Sequence, residues 1–283
     1  MTAVRELQPS IIVPEEPIPA VFQRHPELLA IPPHKFPNSV LIIPDGNGRF
    51  AQTHGLPIIE GHKAGAKALK KAVEFFVEIP EIKRLVVWGF SHDNWKRDET
   101  SPGEVDGIMA VTEATILGSL EMFHKHKIRF RRIGRPERIQ EEYKSLWHTI
   151  IQAEQETAGY INKELVLALD FSGKDQVERM LAEFGRICMT GISIMDPKES
   201  AAIMVDLLRD GGGTITPVDL VARTSGENRT SDIGWIGENS EFFPIEKLLP
   251  DVTEKDFADV LIDYSKRERR FGARPTPSTN NTA

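Results

Sequence analysis

Short apolar runs rich in β-branched residues alternate with longer amphipathic stretches over most of this 283-residue chain, and that alternation restricts the fold more than any other feature. The runs at 40–44, 84–90, 128–133, 165–169 and 218–222 have strand length. The stretches at 60–76, 104–126, 138–157, 175–188, 197–209 and 254–269 carry apolar residues at helical spacing. Strands separated by helices pair in parallel, because each crossover returns the chain to the same edge. The expected architecture is therefore α/β: one domain with a mainly parallel central sheet and helices on both faces.

The two ends read differently. Residues 1–38 hold eight prolines, Pro9, Pro14, Pro17, Pro19, Pro26, Pro32, Pro33 and Pro37, and are expected to form an extended or loosely packed arm. Residues 273–283 have the composition of a disordered tail. A formal charge of −7 argues against a general nucleic-acid binder, so the local arginine clusters read as site chemistry. The one cysteine, Cys188, excludes an internal disulfide and a cysteine-based zinc site, and is expected to be a small buried hydrophobe. No leader-like or membrane-length apolar segment is evident, so the expected location is cytoplasmic, with at most peripheral membrane contact.

The run at 40–44 leads directly into Asp45-Gly46-Asn47-Gly48-Arg49. Strand, glycine-punctuated loop and helix in succession let backbone N–H groups converge on one point, which suits a phosphate. Asp45, at a strand's carboxyl end, stands where open α/β sheets bind ligands, and beside an anion cradle it suits a shared divalent cation. Asp-Gly and Asn-Gly are equally ordinary turn dipeptides, so this segment alone leaves both readings open. The Arg49 fork can take two phosphate oxygens.

A second basic loop follows the run at 218–222, where Arg223, Arg229 and Ser231 can together neutralise a diphosphate. After the run at 84–90, Ser91 and Asn94 can hydrogen-bond a diphosphate or metal-bound water, Trp95 offers a rigid apolar wall, and Arg97 can grip phosphate. The polar run at 98–103 then has the character of a mobile lid. His62, in Gly61-His62-Lys63-Ala64-Gly65, is a lone helical histidine of a kind ordinarily structural. Arg270-Phe271-Gly272 is explained equally well by a helix dipole with a glycine stop.

In this order and with this spacing, these blocks and Glu241 resemble the cis-prenyltransferase family, whose members make undecaprenyl and dehydrodolichyl diphosphates, over residues 38–272. The resemblance implies that family's fold for a catalytic domain at 39–272. It also implies Mg²⁺-dependent transfer of an allylic prenyl diphosphate onto isopentenyl diphosphate with cis geometry. By resemblance, Asp45 is a catalytic residue and metal ligand, with Glu241 as the second acidic ligand. Gly46, Asn47, Gly48 and Arg49 cradle the allylic diphosphate, and Phe50, in place of the usual tryptophan, packs against that loop. His62 contacts phosphate or shuttles a proton. Ser91, Asn94, Trp95 and Arg97 serve catalysis and closure, and Arg223, Arg229 and Ser231 bind isopentenyl diphosphate. Arg270 and Gly272 reach across a homodimer interface to the partner's substrate.

Several positions depart from the family pattern. Ile58 stands where an arginine is usual, Asn228 where some members carry a histidine, and His92-Asp93 where Thr-Glu is common. Asp170-Phe171-Ser172-Gly173-Lys174 replaces Asn-Tyr-Gly-Gly-Arg. Trp88, at the end of its strand, and Phe123 are bulky residues expected to floor the prenyl tunnel and to favour a short or medium product. The missing arginine at Ile58 leaves open an irregular coupling of two allylic diphosphates, or terpene formation. A non-catalytic subunit of a heteromeric prenyltransferase is a more distant reading, since such subunits typically lose the acid and arginines kept here.

Overall fold

The computed structural model describes residues 18–190, 196–208 and 216–269. Six strands, β1 (Ser39–Ile43), β2 (Arg84–Ser91), β3 (Ile128–Ile133), β4 (Lys163–Phe171), β5 (Leu220–Thr224) and β6 (Glu241–Ile245), form one sheet in the order β3-β4-β2-β1-β5-β6. Every pair is parallel. The helices are α1 (Ala20–Arg24), α2 (Asn47–Thr53), α3 (Ile58–Glu78), α4 (Arg97–Thr100), α5 (Glu104–Leu117), α6 (Leu120–Lys125), α7 (Glu137–Glu142), α8 (Lys144–Thr157), α9 (Gly173–Met189), α10 (Pro197–Leu208) and α11 (Glu254–Lys266).

Central strands of such a sheet are covered on both faces and so read as unbroken apolar runs. All five residues of β1 are buried. Val40 and Ile42 face the larger core beneath α3, α5, α8 and α11, whereas Leu41 and Ile43 face a smaller cluster with Val86, Phe171, Ile233 and Ile236. β6 escapes a pattern search because it carries Glu241 and Pro244. It lies at the sheet edge, where a proline's missing N–H is tolerated.

The stretch at 104–126 divides at Gly118, whose carbonyl accepts from Lys70 Nζ at 2.7 Å, giving α5 and α6. That at 138–157 divides at Tyr143, where φ and ψ of −120° and 54° leave the helical region. The last helix stops at Lys266, because Arg267 turns extended.

Residues 18–38 are not loosely packed. Pro26 and Pro33 occupy helix-start positions, where a missing N–H costs nothing, and the intervening apolar residues are drawn inward. Val21 and Leu28 are fully buried, and Phe22 meets Phe36 edge-on at 6.3 Å. Burial of a large apolar side chain contributes about 1.5–3 kcal/mol, enough to hold the segment on the core. Arg24 ties it to α3 through Glu78 (3.0 Å) and to α11 through Glu254 (2.9 Å). Cys188, expected inside, is exposed on α9.

Candidate active site

The strand order reverses direction around β1, and in open parallel sheets the crevice beyond such a reversal is where ligands sit. Asp45 leaves the end of β1 and Arg223 the end of β5. Arg223 Nη2 donates to Asp45 Oδ2 at 2.8 Å, and its Nη1 donates to Ser231 Oγ at 2.8 Å and to Arg229 O at 2.7 Å. Arg49 Nη2 lies 3.3 Å from both Asp45 Oδ1 and Glu227 Oε1. Burial opposes ionisation of Asp45, but the Arg223 hydrogen bond and charge, with Arg49, outweigh it and hold the carboxyl below its ordinary range.

Asn47, Gly48 and Arg49 are not a loop but the first turn of α2, with Gly46 as its N-cap at φ +105°. A side chain at 46 would also strike Leu248, with Cβ 2.9 Å from Cδ2, so only glycine fits there. First-turn N–H groups have no partner within their own helix and remain able to donate. The Gly61 and Gly65 pair, one turn apart on α3, has a matching purpose. A Cβ at Gly61 would lie 2.2 Å from Asn47 O, and one at Gly65 would lie 2.1 Å from Asn47 Oδ1. The two glycines form the groove that receives Asn47.

His62, between them, is buried at 7% exposure. Its Nε2 lies 3.0 Å from Glu104 Oε1, which also accepts from Arg97 Nη1 at 3.2 Å. A carboxylate can only accept, so Nε2 carries the proton and Nδ1 is left to face Asn47 Nδ2 at 3.5 Å. Burial pushes the imidazole below its ordinary pKa, with Glu104 opposing, so the ring is neutral near pH 7. Glu104 escaped the sequence reading because it starts a helix, where an acid is expected from the helix dipole alone.

Ser91 and Asn94 satisfy each other. Asn94 Oδ1 accepts from Ser91 N–H at 2.9 Å, and Ser91 Oγ accepts from the Asn94 backbone. What remains for a ligand is donors, the hydroxyl proton and the amide NH₂, and both residues line the cavity. The segment at 98–103, expected as a lid, contains the α4 turn, and Asp98 Oδ1 caps Val105 N–H at 3.0 Å.

Four expected site residues lie off the cavity wall. Trp95 does not wall the cavity: its ring packs between Phe90 (5.0 Å) and Tyr143 (6.0 Å), with Arg138 above it at 4.3 Å. Phe50 stacks on His54 at 4.1 Å rather than on the anion loop, because α2 carries it to the outer side. Glu241 starts β6 at the opposite edge of the sheet. Ile43 pairs with Arg223 and Arg223 with Pro244, so five residue steps, about 16 Å, separate Glu241 from the level of Asp45. Within one chain Glu241 therefore cannot share an ion with Asp45, and it pairs with Arg267 at 2.8 Å. Arg229 is 64% exposed and paired to Glu227, outside the cavity wall. Arg270 and Gly272 lie outside the described residues.

Asp45, Gly46, Asn47, Gly48, Arg49, His62, Arg97, Arg223 and Ser231 meet at the head of a cavity of about 480 Å³. Its remaining wall is mostly apolar, with Leu69, Val73, Ile108, Ile116, Phe123 and Phe130 among its residues. Phe123 and Phe130, stacked at 5.4 Å and almost fully buried, line it from α6 and β3, on the side of the sheet away from β5. Trp88 touches the wall, but its indole packs with the cluster on the other face of the sheet and donates to Phe171 O at 3.3 Å. Asp45 and Glu104 are the acids on the wall, and Glu104 is committed to His62 and Arg97. Among the described residues no three His, Cys, Asp or Glu gather to hold a metal. A single ionised carboxylate still suits Mg²⁺, which keeps several waters and shares substrate phosphates.

A head carrying Asp45, Arg49, Arg97 and Arg223 thus stands above an apolar pocket, and sequence comparison supplies the family. The family described as "Putative undecaprenyl diphosphate synthase" matches residues 43–272, and the chain belongs to it. It is a prenyltransferase. An isoprenyl transferase of Thermotoga maritima is 34% identical, over 84% of this chain and 97% of that protein. Dehydrodolichyl diphosphate synthase 1 of Arabidopsis thaliana is 33% identical, over 84% and 77%. The crystal structure of lavandulyl diphosphate synthase from Lavandula x intermedia, in complex with dimethylallyl diphosphate, superposes with a TM-score of 0.75 at 27% identity, covering 84% and 99%. Among the described residues no helix is long and apolar enough to cross a membrane.

Proposed function

We propose that this chain transfers an allylic prenyl group from its diphosphate onto isopentenyl diphosphate, with Mg²⁺ as the required ion and a cis double bond in the product. The observation that carries this reading is the polarity of the cavity, with Asp45, Arg49, Arg97 and Arg223 at its head and aliphatic and aromatic side chains beyond them. Such a cavity matches a molecule with an anionic head and a hydrocarbon chain.

In the reaction the allylic C–O bond breaks and its electron pair leaves on the diphosphate. The C3–C4 π pair of isopentenyl diphosphate forms the new carbon–carbon bond, and a C2 proton departs as the new double bond closes. Mg²⁺, bound by Asp45 and phosphate oxygens, would neutralise leaving-group charge. The chain's own contribution is positional. The first turn of α2 and Arg49 hold the allylic head, Ser91, Asn94 and Arg97 donate from the facing side, and Arg223 and Ser231 hold the second diphosphate, with Arg229 reaching it from the exposed side of the same loop. The apolar wall keeps water from the allylic carbon. The proton passes to an oxygen of the released diphosphate, because both ring nitrogens of His62 face protein groups.

The proposal extends to a cytoplasmic homodimer in which residues 39–272 are the catalytic domain and Arg270 reaches the partner's site. The stacked Phe123 and Phe130 in the cavity wall favour a product of about two to four isoprene units, since growth against packed aromatics overfills the pocket. Mass analysis of products from dimethylallyl, geranyl and farnesyl diphosphates, each with and without isopentenyl diphosphate and EDTA, tests the reading. Product requiring both substrates and lost in EDTA is expected. Ile58, an apolar residue where family members usually carry arginine, favours a second reading, coupling of two allylic diphosphates. Product formed without isopentenyl diphosphate would establish that one instead.

A further inference from the structure

Two departures from the family pattern, His92 and Asp170, meet in space. Asp170 is 2% exposed, near the end of β4, and holds a left-handed backbone at φ +52°. A buried carboxylate is costly without a donor, and His92 Nδ1 lies 3.2 Å from its Oδ1. His92 is the first residue of the 3-10 turn that carries Asn94 and leads to Arg97. The same β4–α9 turn also grips the opposite loop. Gly173 N–H donates to Asp232 O and Lys174 N–H to Asp232 Oδ2, both at 3.0 Å. A Cβ on Gly173 would lie 2.4 Å from Gly234 Cα, so the two backbones are in direct contact. Asp232 follows Ser231, whose hydroxyl accepts from Arg223.

We infer that the β4–α9 turn is a positioning element that fixes the separation of the two anion-binding loops, with Asp170, acting through His92, and Asp232 as its positioning residues. The inference rests on the proposed reading only in assigning the loops to two diphosphates. When a reaction joins two carbons carried on separately held anions, the distance between the loops sets the approach of those carbons, and misplacement by about 1 Å costs about 10²-fold. Each loop would still bind its own anion after the tether is cut. The signature of the tether is thus a fall in kcat with little change in either KM.

Asp170→Gly isolates the carboxylate, because glycine adopts φ +52° without strain. Asp170→Asn keeps an acceptor for His92, and His92→Asn keeps an amide donor near the place of Nδ1. Asp170→Gly is expected to lower kcat by about 10- to 10²-fold with both KM values within about threefold of wild type, while the two asparagine variants stay near wild type. Amide hydrogen exchange over residues 91–97 should quicken in Asp170→Gly and not in Asp170→Asn. If Asp170→Gly fails to fold, His92→Ala, at a side chain 39% exposed, makes the same cut. Wild-type kcat and exchange in the cut variant, or equal damage in Asp170→Asn, would overturn the tether. If the wild type makes no product from the two diphosphates, the proposed function fails, and the exchange measurement still decides the tether.

Discussion

Arg223, 5% exposed, donates to Asp45 at 2.8 Å across the seam between β1 and β5 and so joins two segments 178 residues apart in sequence. This pair sets the charge of the site before any ligand arrives. A guanidinium that binds an anion also keeps the neighbouring carboxylate ionised.

Asp45→Ala should lower kcat by at least about 10²-fold, the usual loss for a group acting on developing charge. It should also cost about 1–3 kcal/mol of stability, because the buried Arg223 loses an acceptor. Thermal melts and steady-state kinetics measure the two effects separately. A folded variant with near-normal turnover would remove Asp45 from the mechanism.

Arg223 and Arg229 should behave differently, although the sequence presents them as a pair. Arg223→Ala should lower both melting temperature and activity, since Arg223 ties Asp45, Ser231 and the Arg229 carbonyl together. Arg229→Ala, at an exposed side chain, should leave the stability within about 0.5 kcal/mol of wild type and raise the KM for isopentenyl diphosphate. A selective rise in the allylic KM would show the two diphosphate sites reversed.

Two pH effects follow with opposite partners. Asp45 has a native pKa below its ordinary 3.8, so its stabilising contribution is complete above that value and is lost as pH falls below it through the lowered native pKa. Asp45→Asn should flatten the melting curve in that acid window. His62 has a native pKa below its ordinary 6.5, so the unfolded chain takes up a proton below pH 6.5 that the native ring resists, and stability falls with pH there. His62→Gln should remove that slope. Glu104→Gln, which deletes the carboxylate opposing the shift, should lower the His62 midpoint further in an NMR titration.

Phe123→Ala should lengthen the product, because Phe123 lines the cavity wall stacked on Phe130 and its loss makes room there. Trp88→Ala should not, since its indole packs on the other face of the sheet and its loss leaves a cavity there. Product mass distributions decide both, and a wild-type product of ten or more units would show that this wall opens.

The parallel α/β fold was legible in the sequence because a strand buried on both faces must read as an unbroken apolar run, as in residues 40–43, and amphipathic helices must separate such strands. The blocks that meet at the cavity head were legible for a similar local reason: Asp45 to Arg49 and Arg223 to Ser231 each hold their charged and polar groups within a few residues. What the sequence could not decide depends on register and facing. Glu241 matches a metal ligand by spacing, yet its place at the start of β6 sets it five residue steps from Asp45. Trp95 and Phe50 sit beside site residues in the chain, but one residue's rotation around a helical turn points each ring away. Glu104 joins the site from 42 residues beyond His62, and the Gly61 and Gly65 groove acquires meaning only when Asn47 lies in it. Local pattern determines which elements form, because it governs burial along one segment. Tertiary packing determines which side chains meet, because that depends on how separate segments are placed against one another.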